Sequence, residues 1–168
     1  VLSAAEGLQV VSPLFTPYVI PLTLIVLIAL FAVQSKGTAT VGRAFGPIML
    51  VWFVTLGVLG LWQILRHPQV LLALDPLYAL RYAAAEPGKS FIALGAVFLA
   101  LTGVEALYAD IGHLGARPIR TAWFWLVMPC LILNYCGQGA LVLTDEKAAA
   151  NPFFLLAPGW LRFPLVIL

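Results

Sequence analysis

The sequence predicts an all-α integral membrane protein. Three observations predict it. The 168 residues are 62% hydrophobic and only 10% charged, whereas a soluble domain has about 25% charged residues. Four uninterrupted apolar stretches each approach the roughly 20 residues that a helix needs to cross a bilayer. All nine Lys and Arg residues fall outside those stretches. The composition excludes a disordered tail, and it excludes a nucleic-acid binder, which needs clustered basic residues. Cys130 and Cys136 lie six residues apart on one helix, about 9 Å of rise, too far to pair with each other.

The four expected spans are Tyr18–Gln34, Phe45–Leu65, Ser90–Ile111 and Thr121–Leu143. Val1–Val11 reads as the end of an earlier span, and Trp160–Leu168 as the opening of a later one. The whole of 1–168 is expected to be an internal piece of one transport domain of a longer polypeptide. Lys36 and Arg43 crowd the first short loop, Ser35–Ala44, and Arg117 and Arg120 crowd Gly112–Arg120. Arg66, Arg81, Lys89 and Lys147 spread over connections about twice as long. The denser loops, 35–44 and 112–120, are therefore expected to be cytoplasmic. Tyr18, Trp62 and Trp160 then fall at the outer interface and Trp123 at the inner one, where amphipathic rings anchor.

Between the second and third spans, Asp75-Pro76 has the form of an N-cap followed by proline at the first helical position. Leu77, Leu80 and Ala84 then repeat at helical spacing, so a short helix is expected on the outer face. Glu86-Pro87-Gly88 is expected to end it. Asn151-Pro152 and Ala157-Pro158-Gly159 break the chain before the last apolar run.

The third span carries the chemistry. Of the seven acidic residues, only Glu105 and Asp110 fall inside a span. Asp110 lies next to the span end and reaches water. Glu105 lies roughly 9 Å inside it. A charge at that depth costs about 2.5–3.5 kcal/mol on insertion scales, so it faces a cavity or the bundle interior and is by default functional. Gly95, Glu105, Ala106 and Ala109 all fall within about 60° of Thr102 at 100° per residue. They form a stripe of small and polar side chains, which suits either a close helix seam or a water path. A carboxyl there can exchange a proton for a cation. Gly103 either permits close packing or marks a helix break whose free carbonyls, with the Thr102 hydroxyl, face an ion.

In the fourth span, Asn134 and Gln138 stand four residues apart, placed to hydrogen-bond an adjacent helix. Pro129 is expected to kink that helix and free a carbonyl one turn earlier. His113 is a lone loop histidine with no second ligand at metal spacing. No nucleophile elbow, P-loop, dinucleotide fingerprint or HExxH occurs, so no enzyme reading has support.

Several stretches closely resemble the Kup family of potassium uptake permeases. They are Val1–Leu8, Gly37-Thr38-Ala39 with Phe45-Gly46-Pro47, Thr102–Asp110 (TGVEALYAD) with Gly112-His113, Leu133-Asn134-Tyr135 with Gly137–Leu141, and Asn151–Phe154. The resemblance covers the chain collinearly. It implies a partial bundle of the amino-acid/polyamine/organocation type, with five-helix inverted repeats and a broken sixth helix at the third span. It implies secondary active uptake of potassium with protons across the bacterial plasma (inner) membrane, and no cofactor beyond those transported ions. The family's ion-site threonine carries over to Thr102, its coupling acid to Glu105, with Gly103 between them. Tyr108, Asp110, Asn134 and Gln138 are candidate supporting residues. The implied partners are the lipid bilayer, potassium and the rest of the parent chain, with a homodimer open and no nucleic acid. The family's first helix, which supplies other potassium ligands, is not in this sequence. A carrier of another small solute on the same fold, or a non-transporting membrane subunit, are the competing readings; a passive channel lacks a carbonyl-ring filter motif.

Overall fold

The computed structural model describes residues 7–8, 12–34, 38–101 and 115–167. Every regular element among them is helical. The main helices are α1 (Val19–Gln34), α2 (Thr38–Arg66), α3 (Pro76–Ala85), α4 (Pro87–Leu101), α5 (Ala116–Thr144), α6 (Pro152–Leu155) and α7 (Gly159–Ile167). Short 3-10 turns cover Pro13–Tyr18, Pro68–Leu74 and Glu146–Ala150. Only helices satisfy their own backbone within a single segment, which is what hydrocarbon demands.

Proline sets half of the element starts. Pro13, Pro68, Pro76, Pro87 and Pro152 each open an element. A proline at the first position loses no bond, because that N–H has no partner inside the helix. This corrects the expectation for Glu86-Pro87-Gly88. Only Glu86 separates α3 from α4, and Pro87-Gly88 starts the next helix rather than trailing the last. The expected cap at Asp75 is present: its carboxylate accepts from the Leu77 N–H at 3.0 Å. Asp145 does the same for the Lys147 N–H at 3.0 Å. No residue of α3 is buried, and Leu77 and Leu80 are exposed, as an interfacial helix requires.

Two loops are shorter than the sequence suggests. Thr38–Ala44 is helical, so α2 begins within the expected loop 35–44. Ala116–Arg120 likewise belongs to α5, not to the loop 112–120. Both helices run past the apolar windows into the basic flanks. Among the described residues, three helical stretches are long and apolar enough to span: Leu14–Ala32, Phe45–Arg66 and Ala116–Thr144. They match the first, second and fourth expected spans. The third is described through Leu101, where Pro87–Leu99 forms a shorter apolar helix.

The core is the crossing of α2 and α5. A Cβ added at Gly60 would overlap the Leu133 carbonyl and stand 2.6 Å from the Asn134 nitrogen. One added at Gly137 would stand 2.5 Å from the Gly60 Cα. The two backbones touch, and only glycine on each side allows it. Gly57 meets Cys130 in the same seam, its added Cβ 3.1 Å from Sγ. Further along, Ile64 and Val70 close over Ala140. Contacts advance in the same direction on both helices, so α2 and α5 run parallel. The other face of α2 packs Leu56 and Leu59 against Leu156, Ala157 and Leu165, flanked by Trp52, Phe153 and Phe154. Gly7 belongs to this layer, its α-carbon lying against the Phe154 ring and Val166.

Hydroxyls inside the helices bond back to the preceding turn. Thr55 Oγ1 donates to the Val51 carbonyl at 2.8 Å, Thr121 to Arg117 at 3.0 Å, and Thr144 to Leu141 at 2.9 Å. This satisfies each donor without a second helix.

Gly60→Ala in the full-length parent should force the helices apart, at an overpacking cost of about 1–3 kcal/mol. Thermal unfolding of detergent-solubilised protein should show a clear loss of Tm. Gly46→Ala, whose added carbon meets no described residue within 4 Å, should leave Tm unchanged. Equal behaviour of the two variants would contradict the described crossing.

Candidate functional site

The residues to which the sequence gives ion chemistry divide into two groups. Thr102, Gly103, Glu105, Tyr108 and Asp110, with His113, lie outside the described residues. Asn134 and Gln138 are described, on α5. Of the small-residue stripe, only Gly95 is described, and nothing comes within 4 Å of a Cβ built there. The rest of the stripe lies outside the described residues; among those described, the close helix seam is the one between α2 and α5.

Helix α5 is not uniform. Ala116–Ala122 is α-helical, Trp123–Val127 forms a π-turn, and Met128–Thr144 resumes α-helix. The Met128 N–H reaches back to the Trp123 carbonyl. Pro129 explains the widening. Its ring cannot donate and crowds the carbonyl four residues earlier. A π-turn just ahead of it relieves that contact. The proline expected to disturb the helix does so, through a π-turn one turn upstream.

Asn134 is the largest fully buried side chain among the described residues, at 2% exposure. It sits on the α2-facing side of α5 with Gly137 and Ala140. Gln138 lies beside that face and is half-buried, while Tyr135 points away and is 65% exposed. The Asn134 Oδ1 has no hydrogen-bond partner among the described residues. The hydroxyls of Thr23 and Ser90 share that condition. The expected bond from Asn134 to an adjacent helix is therefore not formed with α2, the helix it packs against. Glycine seams explain this: they bring backbones together, and backbone amides of both helices are already bonded internally. Cys130 and Cys136 are both free, as the spacing required. Among the described residues, no three His, Cys, Asp or Glu side chains converge.

The sequence reading missed two features. One is the Gly57/Gly60 pair, whose small-residue spacing was the available signal. The other is a cleft of about 460 Å³ at the end of α2, lined by Trp62, Arg66, Trp160 and Arg162 among others. Its residues are far apart in sequence, so no local pattern announces it.

A family model described as the K+ potassium transporter integral membrane domain matches residues 1–168. The chain belongs to this potassium transporter family. It is 57% identical over its whole length to "Probable potassium transport system protein Kup 1" of Ralstonia nicotianae. It is 61% identical to a protein named "Probable potassium transport system protein Kup" in Verminephrobacter eiseniae, and equally to one of that name in Corynebacterium glutamicum. The chain covers 27% of the length of each of these relatives, so it corresponds to a piece of a Kup protein. No solved structure matches it. The expectation of family, drawn from the Thr102–Asp110 and Leu133–Leu141 stretches, holds across the full chain.

Asn134→Leu keeps the branched shape and removes the amide. Removing a buried polar group that has no partner is near neutral or stabilising. The parent carrying this variant should unfold within about 1 °C of wild type, because in a chain several times the length of this one about 1 kcal/mol moves Tm by only a degree or so. A drop of many degrees would show that the amide is paired in the full-length protein.

Proposed function

We propose that the parent protein takes up potassium by proton-coupled symport, and that Thr102, Gly103 and Glu105 form part of its ion path. The reading rests on one observation above others. Glu105 is the carboxylate set deepest in any apolar span of this chain, within a TGVEALYAD motif, in a chain of a potassium transporter family. The Thr102 hydroxyl and carbonyls freed at Gly103 supply hard oxygen ligands, which suit potassium. Glu105 carries the proton: protonated it is neutral in the bilayer, and ionised it attracts the cation. Tyr108, Asp110, Asn134 and Gln138 are supporting residues in this scheme.

The parallel alignment of α2 and α5 supports the topology. Two parallel spanning helices require the chain between them to cross back an odd number of times. The stretch beginning with α4 and running through Glu105 is the apolar length available for that return. Loops 35–44 and 112–120 then share one side, the cytoplasmic one by their basic residues. A fold of the amino-acid/polyamine/organocation type in the bacterial inner membrane accommodates these features.

The experiment is uptake of potassium or rubidium by the intact parent in bacteria lacking their own potassium uptake. Wild-type uptake should rise as the external medium is acidified. Glu105→Gln, at equal protein level, should lose at least about tenfold in rate, equivalent to about 1.4 kcal/mol of barrier. Uptake by both forms with no pH dependence would remove the proton role. Absence of any cation uptake would sink potassium as substrate and turn the search to amino acids.

A further inference from the structure

The cleft at the end of α2 has the makings of a lipid site. It lies where the apolar stretch Phe45–Arg66 ends and where the chain turns from Leu155 into α7. A helix of that length places its last residue at the level of the head groups. The lining combines three chemistries. Val58 and Leu59 lie one to two turns deeper along α2, on the hydrocarbon side. Trp62 and Trp160 stand at the rim. Arg66 and Arg162 supply two positive charges, and no acidic residue lines the cleft.

The two guanidinium groups are held but not neutralised. Arg66 stacks on the Trp62 ring, 4.7 Å from its centroid. Stacking uses the guanidinium face and leaves its N–H edges for an anion. Arg162 Nε donates to the Ala157 carbonyl at 3.1 Å. That bond ties the side chain to the cleft wall and leaves its terminal nitrogens for another acceptor. The ion pair among the described residues, Lys89–Glu86 at 3.4 Å, involves neither arginine. Two fixed, unpaired forks match a phosphodiester, which accepts bidentate bonds from each.

We propose that this cleft seats the head group of an anionic phospholipid, with its phosphate between Arg66 and Arg162 and an acyl chain along Val58 and Leu59. Charge complementarity selects the occupant. A zwitterionic lipid brings an ammonium that two arginines repel, whereas phosphatidylglycerol brings one net negative charge and hydroxyls. A free phosphate ion would satisfy the arginines but leave the apolar floor of the cleft uncovered. The inference is independent of the transport mechanism.

Native mass spectrometry of the full-length parent, purified in mild detergent, tests it. Phosphatidylglycerol and phosphatidylethanolamine are added separately, and inorganic phosphate is added as a competitor. Wild type should retain phosphatidylglycerol in preference to phosphatidylethanolamine, and millimolar phosphate should not displace it. Arg66→Gln with Arg162→Gln should weaken retention about tenfold, and Arg117→Gln, at the other end of α5, should not change it. Arg162 also braces the Ala157 turn, so Arg66→Gln alone and Arg162→Lys serve as milder variants, each expected to weaken retention severalfold. Equal retention of both lipids, or full retention by the double variant, would overturn the site. So would displacement by phosphate alone. Failure of wild type to bind either lipid would show that other parts of the parent fill the cleft, and would overturn it equally.

Discussion

The structure depends on the contact of two backbones at Gly60 and Gly137. In water, burying apolar side chains would drive two such helices together. In a bilayer the surrounding lipid is as apolar as the side chains, so that drive is absent. What remains is close packing. Removing both Cβ atoms lets the backbones of α2 and α5 touch, and dispersion contacts then accumulate along the seam. Gly57 against Cys130 and Ala140 beneath Ile64 and Val70 continue the same fit. The seam also fixes direction, because glycine meets glycine in one register.

The remainder is arranged around α2. One face meets α5, and the adjoining face meets the layer of α6 and α7 through Leu56, Leu59, Leu156 and Leu165. The 3-10 turn Pro68–Leu74 folds back at the end of α2 so that Val70 covers Ala140. By contrast, α1 and α4 expose most of their apolar side chains, among them Ile25, Ile28, Phe31, Phe91, Ile92 and Phe98. Those surfaces face lipid or the remaining length of the parent. Among the described residues there is thus one firm helix pair, with two helices whose apolar faces are largely uncovered.

Much of this architecture is written locally. Proline positions mark helix starts, and Asp75 and Asp145 cap the turns that follow them. Apolar length locates three of the four expected spans. Misreadings arose where a local signal had two meanings. Pro87-Gly88 serves equally as a terminator and as a first turn, and a one-residue gap made it the latter. Basic residues flanking α2 and α5 look like loop, yet nothing in Thr38–Ala44 or Ala116–Arg120 stops a helix.

By itself the sequence determined the membrane class, three of the spans, the cap at Asp75 and the family. It also singled out Glu105, the deeper of the two acidic residues in the expected third span, as the candidate for ion chemistry. These follow from composition, spacing and motif, which are properties of neighbouring residues. Only the tertiary structure decided which glycines matter. No described residue comes within 4 Å of a Cβ at Gly95, while Gly60 and Gly137 carry the packing, and all three are equally plausible as letters in an apolar helix. A helix that is apolar all round has no amphipathic stripe to reveal its buried face. The same holds for Asn134, whose buried Oδ1 has no partner among the described residues, and for the cleft that Arg66 and Arg162 both line. Their surroundings are set by helices nearly a hundred residues apart in the chain, and no local pattern encodes that choice.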